Sequence, residues 1–500
     1  MKAIKQYILA ALLAATTGSV MAQDMNSAYF LDGFSYRHDM NPAYGNELGY
    51  CAIPVLGNLN VQMRGSLGLE DVFFKNPDFG VKPGAKKTAT FLHPGISVDK
   101  ALSGFDKDRN TLLFNMDIPI ASVGFFAFDG YNTVELRERV AAGFSAPYEF
   151  FEFAKDTRNK DYSFEDIGAF GRAYTELALG HSRQIFDNLR VGAKVKFLFG
   201  NAYADLKMEN MHASLQGDHW VVEGKARGEL NMKGAKFKEK TEEYKSRPGQ
   251  TYTRVSGIDT DGAGAITGFG LGLDLGAVYE FKDCSLDWLN GLKASWALTD
   301  LGFISYSNMI VAESSGKPFT FDGFNNIAMK DEGTLGGQSF SQQGDDLKDR
   351  LTDFANLESK PDEAGGSKTH GLGATMRFGL EYPLPVYDRL KFGLLYTHRY
   401  GGDLYHWSEG RLSANIAPLD WVDGGINVGI SSFHTEMGWV VNFHPTGCNV
   451  FLGMDYMMGN TGKSLIPMDS NVCFNFGVNI TFGDKSRRKL KERQLEVLTF

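Results

Sequence analysis

The sequence predicts an all-β protein, a transmembrane antiparallel barrel of about 14 strands with an N-terminal plug segment and long extracellular loops. Three observations predict it. Stretches of about ten residues alternate apolar and polar side chains, the length and pattern of a tilted strand between hydrocarbon and a lumen. Aromatic residues gather at the ends of those stretches (Tyr382, Tyr387, Tyr396, Tyr400, Trp407, Trp421 and Trp439), where membrane interfaces hold them. Short turns alternate with long polar connections, as in outer-membrane barrels. A water-soluble sandwich also alternates, but its strands are shorter, and only a closed barrel removes the edges that lipid cannot satisfy.

Composition agrees. The chain holds 58 Gly, 38 Phe and 20 Tyr but 15 Pro, a β-rich balance, and its net charge of -9 argues against a nucleic-acid partner. Residues 1–22 read as a signal peptide: Lys2 and Lys5, a short apolar run over Ile8 to Ala15, then Val20-Met21-Ala22 for cleavage. Residues 23–47 are expected to form a plug or hatch, 48–483 the barrel, and 484–500 a charged periplasmic tail. Cys51, Cys284, Cys448 and Cys473 have no metal-binding spacing and are expected to be free, buried thiols.

Phe269 to Phe281 shows the alternation most fully: Phe269, Leu271, Leu273, Leu275, Ala277, Tyr279 and Phe281 share one face, opposite Gly270, Gly272, Asp274, Gly276, Val278 and Glu280. Similar patterns predict strands over 58–69, 110–118, 122–130, 171–185, 189–200, 268–281, 292–306, 371–382, 390–400, 411–417, 425–431, 436–443, 449–457 and 472–482. Pro119 reads as a turn, and 134–157 as room for a helix. Strand extensions beyond the membrane are expected within 201–240. Leu298 and Leu301 fall on opposite parities, which predicts a β-bulge near Thr299-Asp300.

Charge on a lipid face is destabilising, so Arg64, Glu176, Lys194, Lys196, Asp274, Glu280, Arg377, Glu381, Lys391 and Arg399 are expected to face the lumen. They would form either a salt-bridged brace or a polar conduit, and the mixed signs argue against a strongly ion-selective pore. The plug is expected to use Tyr29, Phe30, Arg37, His38, Asn41 and Pro42. No catalytic motif emerges. His181 and Ser182 are neighbours on a strand and point to opposite faces. The glycines from Gly262 lack a P-loop Lys, and Asp259 with Asp261 lack the further ligands of a calcium loop. Neither a cofactor nor a metal is expected.

Ala28-Tyr29-Phe30-Leu31 through Arg37-His38 to Asn41-Pro42-Ala43, together with Leu298-Thr299-Asp300-Leu301-Gly302-Phe303, resembles an uncharacterised family of Bacteroidota outer-membrane barrels. That family is distantly similar to the long-chain fatty-acid transporter and type IX secretion barrels. The resemblance implies fourteen strands and an N-terminal hatch in the lumen. It places no ligand-binding residue here.

The sequence thus leads to a non-enzymatic barrel in the cell outer membrane. Its expected role is passage of a small hydrophobic or amphipathic molecule through a plugged lumen. The alternative is a surface or secretion-associated scaffold that binds a protein partner at its extracellular loops. Outer-membrane lipid is the remaining partner.

Overall fold

The computed structural model describes residues 25–156, 160–164, 167–217, 219–259, 265–322, 340–401, 406–456 and 472–483. The expected signal peptide, the charged tail and the 260–264 glycine and aspartate loop lie outside them.

Fourteen antiparallel strands close on themselves. In chain order they are β1 (Gly49–Ala52 with Leu59–Gly65), β2 (Arg109–Ala127), β3 (Gly130–Pro147), β4 (Ile167–Phe186), β5 (Leu189–Gln216), β6 (Gly268–Glu280) and β7 (Lys293–Tyr306). Then follow β8 (Thr375–Leu384), β9 (Tyr387–Arg399), β10 (Trp407–Leu419), β11 (Val422–Ser431), β12 (Thr435–Phe443), β13 (Asn449–Met454) and β14 (Val472–Phe482). Each pairs with its neighbours in sequence, and β1 closes the barrel by pairing with both β14 and β2. Among the described residues the barrel ladder therefore closes without a free edge, the condition a membrane imposes.

The alternation sorts the side chains as expected. Phe269, Leu271, Phe378, Leu380, Phe392, Leu394 and Ile426 are exposed on the outer wall. Asp274, Arg377 and Glu381, on the other parity of the same strands, are buried. Among the described residues no helix is long and apolar enough to cross a membrane.

Pro119 does not turn the chain. It lies inside β2, where the register slips between Pro119 and Ala121. A proline lacks the N–H a ladder needs and is tolerated at a bulge. Here the neighbouring β1 is itself broken over 53–58, and the Val55 N–H donates to the Pro119 carbonyl at 2.8 Å. The stretches 110–118 and 122–130 are thus one strand. The following stretch, expected to be a loop, is strand β3, and its helix is confined to Tyr148–Lys155. The strand count of fourteen survives because the two errors offset each other. The bulge near Thr299-Asp300 is present: Leu273 pairs with Leu301 and Leu275 with Leu298, with Asp300 at φ 59°.

Short connections, such as Phe128-Asp129, Asp187-Asn188, Pro385-Val386 and Asp420-Trp421, share one end, the turn side. The opposite end carries the long connections. There β4 and β5 run for 20 and 28 residues, and β5 pairs with a strand over His219–Met232, the extension expected for 201–240. Four connections share one apolar core over this end, formed by Leu67, Phe91, Leu102, Phe105, Phe144, Phe151, Tyr162, Phe164, Leu215, Val222, Phe319 and Phe354. They make a single cap. A hairpin of Lys236–Glu243 and Thr251–Asp259 is tied to the cap helix Phe340–Ala355 through Asp349, which accepts from the Lys245 and Ser246 amides and the Ser246 hydroxyl.

The four cysteines are free, but Cys473 alone among them is buried; Cys51 is exposed and Cys284 and Cys448 are half-buried. Cys51 sits on the outer parity of β1, which burial of a thiol could not override.

Candidate functional site

The barrel interior is filled from the chain's own N-terminal side. Residues 25–44 are almost entirely buried, although only short helical turns over Asn26–Ala28 and Arg37–Met40 give them regular structure. Glycines on the inner parity make the room. A Cβ on Gly192 would strike the Pro42 carbonyl, and one on Gly276 would strike Asn41. Gly379 and Gly393 face the Tyr29 and Phe30 rings, Gly438 faces Ser27, and Gly453 faces Met25. The strands therefore approach the segment backbone-first, as glycine permits.

Polar contacts then fix the segment. The Asp455 carboxylate accepts the Asn26 and Ser27 amides, each at 2.7 Å. Lower down, the Gly33 amide donates to Asp423, the Ser35 hydroxyl to Asn449 and the Tyr36 hydroxyl to Asn479. Tyr29 hydrogen-bonds Ser295, and Asn41 donates to the Tyr29 hydroxyl and the Trp296 carbonyl. Arg37 donates to the Tyr29 carbonyl and to Asp32, and stacks 3.8 Å above the Tyr44 ring. Its guanidinium is thus paired and covered at once, as a buried cation requires. Tyr29, Phe30, Phe34, Tyr36, Tyr44 and Tyr50 form one aromatic core around these bonds.

Charged residues on the wall fall into three groups. In the first, Lys194 donates to Asp39 at 2.7 Å and to Glu135 at 2.6 Å. Arg137 pairs with Asp39, Asp117 and Glu135, Arg139 with Glu176 and Asp300, and Lys196 with Asp274 and Asp300. In the second, Lys391 bridges Asp32 and Glu381, with Lys293 3.6 Å from Glu381. In the third, Arg64 lies between Glu409 at 2.7 Å and Glu436 at 3.3 Å, and Arg411 pairs with the same two acids. Asp39, Asp32 and Asn26 of the N-terminal segment each enter one group, so all three groups tie the segment to the wall.

His38, Asp39 and Glu135 lie close enough together to hold a metal ion. The Lys194 ammonium already stands among them, 3.3 Å from His38 Nδ1 and bonded to both carboxylates. A divalent cation there would meet that fixed positive charge, so the triad is complete as an ion cluster.

Among the expected wall residues, Lys194, Lys196, Glu176 and Asp274 come together in the first group. Glu381 and Lys391 enter the second, and Arg64 the third. Arg377 donates to the Met40 carbonyl and Thr299, and Arg399 to Thr375 and the Leu372 carbonyl. Glu280 stands apart at the turn-side rim, half-exposed and 3.4 Å from Lys282. Trp407, expected in an interfacial girdle, is instead buried inside, with the Arg64 guanidinium 3.6 Å from its ring centre. Tyr387, Tyr396, Tyr400 and Trp421 are exposed on the outer wall. His181 and Ser182 share no contact: His181 binds Asn132 and Ser182 binds Arg190.

Sequence reasoning missed Asp39, Asp117, Glu135, Arg137, Arg139, Asp300, Glu409, Arg411, Glu436 and Asp455. A signal existed for several. Glu135-x-Arg137-x-Arg139 and Glu409-x-Arg411 have the period of two that puts charges on one strand face, alternating with Val134, Leu136 and Val140, a row that Glu138 interrupts, or with Leu412.

The crystal structure of the Ralstonia pickettii toluene transporter TbuX aligns at 9% identity and a TM-score of 0.38, covering 93% of this chain and 96% of that one. The Pseudomonas putida toluene transporter TodX aligns at 9% identity and 0.39, covering 93% and 96%. A Pseudomonas aeruginosa FadL homologue aligns at 10% identity and 0.38, covering 93% and 99%. No curated protein matches the sequence. The model of a family of unknown function, DUF5723, matches residues 42–455, and the chain belongs to that family.

Proposed function

We propose that the protein is an outer-membrane channel for a small amphipathic molecule, closed by its own N-terminal segment. The observation that carries the reading is the fit of residues 25–44 to the lumen. A segment with little secondary structure fills a cradle of glycines contributed by strands all around the wall. It is held by side-chain hydrogen bonds and ion pairs rather than by the sheet ladder, so it can leave while the barrel stays closed. The long loops then face the exterior and the short turns the periplasm, as in bacterial barrels. The test is planar-bilayer conductance of purified protein lacking residues 25–45. A rise in conductance over the full-length protein is expected, with the barrel's resistance to unfolding in cold detergent retained. An unchanged conductance from a folded barrel sinks the reading.

A second reading has its own support. The cap draws four connections into one core, which gives the exposed end a rigid shape. A scaffold that binds a protein partner would use such a surface. Photocrosslinking from position 81, exposed on the cap, would then trap one defined partner, and deletion of residues 25–45 would leave that crosslink intact. Without a defined partner this second reading fails.

A further inference from the structure

The third charged group contains polar atoms that the described residues leave unsatisfied. Glu409 is its hub. Arg64 Nη2 donates to Glu409 at 2.7 Å, Tyr456 at 3.3 Å, and Asn26 Nδ2 at 3.5 Å, while Gln62 Nε2 donates to the Tyr456 hydroxyl at 3.2 Å. Around this hub, Arg64 Nε, Arg64 Nη1, Gln62 Oε1 and Asn26 Oδ1 are buried and find no hydrogen-bond partner. Buried polar groups are nearly always satisfied, and one left bare loses its hydration without a replacement. Their gathering around one carboxylate therefore marks a place built to receive something. What they ask for is specific: two donors on Arg64, and two acceptors on Gln62 and Asn26.

The surroundings narrow the chemistry. Leu113 and Trp407 form a small apolar cluster with Phe170 and Phe433, and the Arg64 guanidinium lies against Trp407, Tyr456 and Phe433. Polar head and apolar tail can thus be met side by side. The charge balance is equally informative. The carboxylates of Glu409, Glu436 and Asp455 outnumber the guanidiniums of Arg64 and Arg411. An anionic head would add charge of the majority sign in a buried site. An ammonium could use the two acceptors but would confront the unsatisfied Arg64 donors. A neutral group that donates and accepts at once fits both.

We propose that this station binds an amphipathic molecule with an uncharged head, a hydroxyl or carboxamide, and a short apolar tail. This rests on the channel reading and names the class of molecule the lumen would take. The head would accept from Arg64 and donate to Gln62 or Asn26, and the tail would lie against Leu113 and Phe433.

The experiment uses the full-length protein in detergent and four probes with one six-carbon tail: hexanol, hexanamide, hexanoate and hexylammonium. Saturable change in tryptophan emission is read, with Trp407→Phe as the reporter control and direct titration calorimetry alongside. Hexanol and hexanamide are expected to saturate, with hexanoate and hexylammonium at least tenfold weaker. Gln62→Leu should weaken hexanamide by about tenfold. Gln62→Glu, which keeps the side-chain shape and adds charge, should weaken it likewise and serves if the leucine variant does not fold. Tightest binding of hexanoate or of hexylammonium overturns the proposal, as does the absence of any saturable response, which would leave these atoms to water alone. Binding needs no passage: an intact response with no conductance change on deleting the plug sinks the channel reading while leaving the site standing.

Discussion

Lys194 sits on β5 with both of its carboxylate partners more than fifty residues away in sequence. Replacement by methionine keeps its length and removes its charge, and leaves Asp39 and Glu135 buried without that cation. Removing one partner of a buried pair typically costs about 3–5 kcal/mol, so Lys194→Met should lower the midpoint of thermal unfolding in detergent sharply. A change under about 1 kcal/mol would mean that Arg137 alone suffices. The glycines offer a steric counterpart. Gly393→Ala puts a methyl group into the Phe30 ring and should cost about 1–3 kcal/mol. Gly410→Ala, where a Cβ meets nothing within 4 Å, should be nearly neutral in the same measurement. Equal effects at both positions would argue that the N-terminal segment yields freely.

At the scale of the element, the hairpin Lys236–Glu243 with Thr251–Asp259 should respond to acid. Hydrogen bonds from Arg254, then Lys240 and Tyr252, lower the Glu242 carboxyl to about 2. A folded-state value below the unfolded one means that the stabilisation is complete above about pH 4.5 and fades as pH falls toward 2. Amide exchange in the hairpin should accelerate over that window, and Glu242→Gln should flatten the response. The elements also show what the sequence made legible. β6 was readable because Phe269 to Phe281 alternates without interruption. β3 was not, because Glu135, Arg137, Glu138 and Arg139 crowd charge into a span that propensity alone assigns to a loop. Its logic lies in the partners Asp39, Asp117 and Glu176, brought from three other segments. Pro119 misled for a related reason: whether a proline ends a strand depends on the neighbour, and here β1 is broken opposite it. Trp407 looked interfacial by position, and only the Arg64 guanidinium against its ring explains why it turns inward.

For the whole molecule, cap and barrel have separate cores. Phe151 is fully buried in the cap among Phe91, Phe105, Phe144 and Phe150. Phe151→Ala should cost about 3–5 kcal/mol there and open the connections over 66–108 and 148–156 to protease together. The barrel should still migrate as the compact form on unheated gels. Simultaneous loss of that form would show that cap and wall stand or fall as one. The candidate site was legible in part: the two faces of the strands follow from pattern, whereas Glu409, Glu436 and Asp455 become a group only once β10, β11, β12 and β13 have paired in order.

The grip of Asp455 on Asn26 and Ser27 joins residues 429 and 428 positions apart. Tyr36 on Asn479 spans 443. Contacts of such high order are slow to form, because the intervening chain must be organised first. The earliest part of this segment to be synthesised is therefore among the last to settle, and it can do so only when β13 and β14 have arrived. Sealing the cylinder and docking residues 25–44 become a single late step, and a chain truncated before β14 would be left with an unclosed sheet and a loose leading end at the same time.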